Sequence, residues 1–407
     1  MIHFYNFLKM RTRYLTFPTI FLALSLGCKK SNQPVTTDYS DMLQYSLDTT
    51  WQHFTSPLTG HKGGLGIYIV CPKGTFFLSS GLEEGASAAS HFRAASITKS
   101  FTAAAIMLLD QQGKLNIEDT VTHLIPGTNL TYLPDDTAYQ IPYKSRITIR
   151  ELLEHRANIF DQVNSMIPDT VSAWYAGYFY YMAILLFRDR YHQFTLDELH
   201  RVISRHQLTY GLPGIEHHYS NNGYTLLAKI IERVSGKSYQ DFVRDEMLLK
   251  NQLNETTLPY LGSDTALPQP FLHGYRYQNN STIDFTMFNV SWGLAEGNLI
   301  TTFRDLASFY KLLFSGEAGL SLSQVNRMME CLPSNDSYGL GIEFREGLGY
   351  GHTGDHFGYL TVAYYDRGTD CMLISESTLY PGDATLNKNL GKTVMNLLKK
   401  MKQTLGY

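Results

Sequence analysis

Two strand-like hairpins stand near opposite ends of this chain with helix-patterned sequence between them, and that arrangement narrows the possible folds more than any other feature. Near the start, Leu65 to Val70 turns at Pro72-Lys73-Gly74 into Thr75 to Leu78. Near the end, Tyr359 to Tyr365 and Cys371 to Ser375 flank Asp366-Arg367-Gly368-Thr369-Asp370, again the pattern of an antiparallel pair. Between them the apolar period becomes helical. Phe101, Ala105, Leu108 and Leu109 share one helix face ahead of Gly113, and Thr148 with Glu151 forms a capping box before Leu152 and Leu153. Leu227, Ile230, Ile231 and Val234 form a stripe closed by Gly236, after which Ser238 and Asp241 open another helix. Thr302 with Asp305 starts one more, which Gly316 ends. The pattern predicts an α/β fold in which an antiparallel sheet is flanked by helices. Its discontinuous α/β lobe would take residues 39–112 and 285–407, and an inserted, mostly helical lobe residues 113–284. A length of 407 residues suits two lobes, because single cores seldom grow beyond about 250–300 residues, and a cleft between lobes is the natural place for a site.

Lys9, Arg11 and Arg13 precede an apolar stretch from Tyr14 to Leu26 that ends at Gly27-Cys28. The stretch is shorter than the roughly 20 apolar residues of a bilayer-spanning helix, and its order of charge, apolar run and small residue is that of an export signal over residues 1–27. Leu24-Ser25-Leu26-Gly27-Cys28 resembles a bacterial lipobox, with Ser25 where Leu is usual. That resemblance implies lipidation at Cys28, a cell-envelope location and membrane attachment by the lipid alone, with a plain signal peptide or an uncleaved anchor as alternatives; the polar, aperiodic run that follows reads as a tether over 28–38. A net charge of −3, without a long Lys/Arg run, excludes nucleic acid as a partner. Cys71 and Cys371 read as small buried hydrophobes, with a bridge between them left open.

The segment Trp174-Tyr175-Ala176-Gly177-Tyr178-Phe179-Tyr180-Tyr181-Met182 is dense in rings, which either fill a core, wall a substrate pocket or touch a membrane. The chemistry concentrates at Ala95-Ser96-Ile97-Thr98-Lys99, which leads straight into an apolar helix. Positions i and i+3 share a helix face, about 5–6 Å apart at Cβ, so the Lys99 amine can approach the Ser96 hydroxyl. Such an amine takes the hydroxyl proton only if desolvation or a neighbouring cation lowers its pKa. Alone, this pair is more often just an N-cap serine with a nearby lysine.

Two further stretches change that weighting. Tyr219-Ser220-Asn221 precedes the helix of Leu227 to Val234, and Tyr350-Gly351-His352-Thr353-Gly354 precedes the late strand pair. In order and spacing these resemble the three motifs of the serine β-lactamase and penicillin-binding-protein superfamily, in its class C and R61-type peptidase and esterase branch. Ile147 to His155 and Tyr338-Gly339-Leu340-Gly341 are similar to segments recurring in that branch, and the likeness runs from about Gly64 to about Ser375. The resemblance implies that Ser96 is the nucleophile, Lys99 its activating partner and Tyr219 the proton shuttle, a phenol that acts as a base only if cations such as Lys99 favour the phenolate. It further implies that Asn221 orients Lys99 and meets the substrate amide, and that His352, Thr353 and Gly354 form the substrate-facing strand. The backbone N–H groups of Ser96 and Asp355 would make the oxyanion hole.

His352 stands where β-lactamases usually carry Lys, and a neutral imidazole anchors a carboxylate more weakly than an ammonium, which disfavours β-lactams as substrates. Asp355 stands where a small residue is usual; pointing inward, it favours cationic or neutral acyl groups. His352, Asp355 and His356 cluster in sequence, yet no H-E-x-x-H helix accompanies them, so no metal and no organic cofactor is expected. The expected reaction is hydrolysis of an amide or ester, in a small molecule or D-amino-acid peptide, through an acyl-enzyme. The alternative is an envelope lipoprotein that binds wall peptide or β-lactam without turnover.

Overall fold

In the computed structural model, which describes residues 38–331 and 337–407, the chain opens with helix α1 (Ser40–Thr55) and the hairpin β1 (Leu65–Cys71) and β2 (Gly74–Ser80). The signal segment, Cys28 and all of the tether but Asp38 lie outside the described residues. Next come β3 (His91–Ala95) and α2 (Thr98–Gln111), followed by α3 (Ile149–Leu153), α4 (Tyr180–Phe187), α5 (Leu196–His206), α6 (Asn221–Ser235) and α7 (Tyr239–Val243). A short hairpin of β4 (Tyr275–Gln278) and β5 (Ser281–Asp284), not expected from the sequence pattern, precedes β6 (Leu299–Thr302), α8 (Phe303–Ser315) and α9 (Leu322–Met329). The chain then forms β7 (Glu343–Arg345), β8 (Gly349–His356), β9 (Tyr359–Asp366), β10 (Cys371–Ser377), β11 (Leu379–Pro381) and α10 (Ala384–Thr404).

The principal sheet has six strands in the order β2-β1-β10-β9-β8-β7, every neighbour antiparallel. The hairpin from the start of the chain therefore docks on strands from its end, with Leu65 opposite Ser377 and Ile69 opposite Leu373. Successive side chains of a strand face opposite ways, and here both faces are covered. Cys371 and Leu373 of β10, with Leu360, Val362 and Tyr364 of β9, join Leu43, Leu47 and Trp51 of α1 and Leu390, Val394 and Leu398 of α10. Met372 and Ile374, with Ala363 and Tyr365, face the core that contains α2 and α8. The fold is thus an antiparallel sheet between helical layers. No disulfide joins the described cysteines: Cys71 and Cys371 are buried thiols at adjoining ends of β1 and β10.

The expected caps hold. Thr148 and Glu151 make both bonds of a capping box, Thr302 accepts from the Asp305 amide, and Gly236 and Gly316 end their helices with positive φ. Helix α2 departs from the one-faced stripe expected of it, because every residue from Thr98 to Leu109 is buried. Its run Ala103-Ala104-Ala105 is small enough for neighbours to approach on all sides. At Gly341, for example, an added Cβ would come within 2.2 Å of the Ala103 Cβ. Lys99 lies in the first turn of this enclosed helix, and Ser96 stands just before it.

Candidate active site

Ser96 occupies the turn between β3 and α2. Strand β3 is wholly buried and pairs with β6, and Ala95 leaves it at φ 47°, a left-handed conformation uncommon for a residue with a side chain. The turn is clamped from two sides: the Thr98 hydroxyl donates to the Ala95 carbonyl at 2.7 Å and accepts from the Leu299 amide at 3.0 Å. Ser96 is half-buried, whereas Lys99, one helical turn on, is fully buried.

The Lys99 Nζ lies 3.0 Å from Ser96 Oγ, 2.6 Å from Asn221 Oδ1, 2.8 Å from the Glu296 carbonyl and 3.2 Å from Glu296 Oε2. It also sits 4.9 Å from the centre of the Tyr219 ring. Burial pushes the Lys99 amine below its ordinary range, opposed by the Glu296 and Asp161 carboxylates. Burial likewise pushes the Glu296 carboxyl up, opposed by Lys99.

Asn221 begins α6 behind the N-cap Ser220, so its side chain points out of the helix start toward α2. Its Nδ2 donates to the Asp161 carboxylate at 3.2 Å, which turns Oδ1 toward Lys99. Tyr219, two residues earlier, lies against the His155 ring at a 4.1 Å centroid distance and is hydrogen-bonded with Ser96. Its phenol is raised well above the ordinary tyrosine range, chiefly by burial, with Glu296, Asp161 and Glu343 adding to the effect. The condition under which Tyr219 would act as a base, a phenolate favoured by nearby cations, is therefore unmet in the resting site: burial keeps Tyr219 a neutral hydroxyl. His155 is held neutral by burial and by the Lys99 charge.

Strand β8 carries the third stretch. Strand β7 covers it only from Gly349 to Gly351, so His352 to His356 lie beyond that pairing, where β3 packs alongside. Gly354 permits that approach, since a Cβ there would stand 2.1 Å from the Ala94 carbonyl oxygen. His352 has both ring nitrogens occupied, which bears on how weakly it can anchor a carboxylate. Its Nδ1 lies 2.5 Å from the Thr353 carbonyl and so carries the proton, while Nε2 lies 2.9 Å from the Tyr338 hydroxyl and accepts from it. Burial lowers its pKa to about 4, so a ligand meets a neutral ring with both nitrogens engaged. Thr353 and Asp355 line the cleft. Asp355 is open to cleft solvent but closely walled by protein, accepts from Asn387 of α10 at 2.5 Å and is hydrogen-bonded with Tyr380; partial desolvation raises its carboxyl to about 6.

These residues meet in one cleft of about 450 Å³, lined by Ser96, Tyr219, Asn221, His352, Thr353 and Asp355. Other residues share it, of which only Tyr181, in the ring-rich segment, carried a sequence signal for a pocket wall. Glu296 and the aromatic wall of Tyr181, Trp292, Phe357 and Tyr380 also face it. Tyr181 and Trp292 stack at 4.1 Å, and Trp292 stacks on His356 at 5.2 Å. Both ring nitrogens of His356 are buried without a hydrogen-bond partner. The aromatic segment thus divides: Tyr175, Tyr180 and Tyr181 belong to a buried cluster, whereas Trp174 and Tyr178 are about half exposed. Glu296 had one signal, a single acid in the otherwise uncharged run Trp292 to Asn298. Among the described residues no group of three His, Cys, Asp or Glu side chains converges as a metal cradle.

The family model that describes Beta-lactamase matches residues 49–390. Among curated proteins, the chain is similar to a penicillin-binding protein of Bacillus subtilis (strain 168), at 30% identity over 190 residues covering 47% of this chain and 35% of that protein. It is also similar to protein flp of Staphylococcus aureus (strain MW2), at 28% identity over 279 residues covering 66% and 48%. The chain thus spans less than half the length of these relatives. Among solved structures, D-amino acid amidase from Ochrobactrum anthropi SV3 superposes with a TM-score of 0.69 at 22% identity, covering 91% of this chain and 99% of that one. D-stereospecific amidohydrolase from Streptomyces sp. gives 0.66 at 23%, covering 86% and 97%.

Proposed function

The chain belongs to the beta-lactamase family and is a serine hydrolase, and from that premise we propose that it hydrolyses amides or esters of D-amino acids through an ester formed on Ser96. The observation that carries this reading is the 3.0 Å contact between Ser96 Oγ and a fully buried lysine amine inside the cleft. Lys99 takes the hydroxyl proton as Oγ attacks the acyl carbon. Tyr219 hands a proton to the leaving group and is resupplied by Lys99, a role that suits a neutral phenol bonded to Ser96. Backbone N–H groups of Ser96 and Asp355 hold the oxyanion, and water reverses the sequence to free the acid.

Three features of the cleft favour an acyl group with an N–H cation and an apolar side chain. Asp355 supplies negative charge, the nitrogens of His356 are unpartnered, and the rings of Trp292, Tyr181 and Phe357 form a flat wall. A β-lactam carboxylate would instead meet Asp355 and a neutral, already bonded His352. The solved amidases of similar fold bear names that agree with a D-amino-acid substrate. Turnover of D-phenylalanine amide, its L-enantiomer, a p-nitrophenyl ester and a chromogenic cephalosporin by one purified sample tests the reading. The D-amide or the ester should be cleaved with Ser96 transiently acylated, and the cephalosporin slowest. A cephalosporin cleaved fastest, or no acyl adduct on Ser96, would reject it.

Asp355 carries a pH-dependent prediction. Its carboxyl, raised to about 6, is protonated below that pH and charged above it. The kcat/KM ratio of D-phenylalanine amide to its N-acetyl counterpart should therefore rise as pH passes upward through about 6, below the α-ammonium pKa of about 7.7–8.0. Asp355→Asn should leave the ratio flat and lower; an unchanged slope in that variant would remove Asp355 from substrate choice.

A further inference from the structure

Glu296 lies in the site against Lys99 although no motif marks it, and its two carboxylate oxygens have unequal surroundings. The carboxylate is 3% exposed, with Oε2 at 3.2 Å from Lys99 Nζ, while Oε1 is buried with no hydrogen-bond partner beside the cleft. Its loop is pinned to α2, since the Glu296 carbonyl accepts from Lys99 at 2.8 Å and the Ala295 carbonyl from Thr102 at 2.6 Å. The ionisable groups facing Glu296 are Lys99, Asp161 beyond Asn221, and the phenols of Tyr219 and Tyr181.

Every group bonded to Lys99 Nζ can accept from it, an arrangement that favours the ammonium. An ammonium cannot take the Ser96 proton. Two buried carboxyls also surround this one amine, so full ionisation would leave an uncompensated negative charge in a desolvated place. One of the acids is better suited to hold a proton. Asp161 accepts backbone N–H bonds from Val163, Asn164 and Asn221 as well as the Asn221 amide, and such donors hold a carboxylate in its charged form. Glu296 has Lys99 alone.

We propose that Glu296 accepts the proton of Lys99 and so frees the amine to act on Ser96, a role that rests on the acyl-enzyme reading above. The transfer runs from Nζ to Oε2 before attack. The Ser96 proton then moves to Nζ as Oγ bonds the acyl carbon, and passes through Tyr219 to the leaving group as its bond breaks. In deacylation a proton of the attacking water goes to Nζ and then to Ser96 Oγ as the ester breaks. The Glu296 proton is only stored, so nothing is consumed beyond substrate and water.

The rate at which a fluorophosphonate labels Ser96, followed by mass spectrometry across pH in wild type, E296Q and E296D, tests this. With an internal acceptor the wild-type rate should be level through neutral pH. In E296Q, Lys99 must discharge to solvent, so labelling should fall about tenfold or more near neutrality and recover on the alkaline side. A uniform fall across pH, as a structural role gives, or no change, overturns the proposal. Should E296Q fail to fold, E296D decides: it keeps a carboxyl, so the level profile should persist at a lower rate, and an alkaline shift there overturns the proposal. If wild-type Ser96 is not labelled at all, the acyl-enzyme reading fails and this one with it; labelling with an unaltered E296Q profile rejects Glu296 alone.

Discussion

Ser96→Ala should abolish turnover, lowering kcat by about 10⁴-fold or more while leaving the melting temperature close to that of the wild type. Ser96 is half-buried and the clamp that shapes its turn runs through Thr98, so the hydroxyl supports little beyond the chemistry. Lys99→Met should lose activity to a similar degree but also lose stability, because it strands Asn221 Oδ1 and the Glu296 carboxylate in a buried place. The two residues act as one unit, so the double variant should be no slower than either single one. Steady-state kinetics on D-phenylalanine amide, with denaturation curves on the same samples, would check all three. Activity of Ser96→Ala within about tenfold of the wild type would exclude Ser96 as nucleophile.

Gly354→Ala is expected to have the next largest effect, and for a steric reason. The added methyl would lie 2.1 Å from the Ala94 carbonyl oxygen and 3.3 Å from the Ala95 Cβ, so β8 and β3 must separate. Overpacking of this kind costs about 1–3 kcal/mol in stability. If the Asp355 amide is an oxyanion donor, as proposed above, the same displacement moves it out of place, a loss of about 10²–10³ in kcat. Gly297→Ala is the control, because a Cβ there meets nothing within 4 Å. Equal activity of the two variants would show that the close approach of β8 to β3 is dispensable.

How far the sequence could be read depended on how local each cause was. The Ser96–Lys99 contact follows from helical spacing and was legible, as were the Thr148 and Thr302 caps and the two outer hairpins, whose signals lie within a few residues. The β4–β5 hairpin also carried a local signal that went unread: Asn279-Asn280, both at positive φ, is the residue type that tight hairpin turns select. Helix α2 read as one-faced because an alanine run is silent about how many neighbours it admits. Glu296 meets Lys99 across 197 positions, and Asp161 meets Asn221 across 60; no pattern in a single chain announces such pairs. His352 lines the cleft, but its engagement by Tyr338 depends on the direction of two side chains, which no spacing reveals.

The sheet order has a kinetic corollary. Strand β1 exposes one whole edge until β10 arrives more than 300 residues later, so the nascent hairpin is a bare template for mispairing throughout translation. Contacts of such long range close slowly, and the packing of β8 on β3, the strand that leads into Ser96, likewise waits for the end of the chain. Fragments released before β8 is made should be inert and prone to clump, and the full chain should benefit from a holdase that shields this edge until its partner emerges.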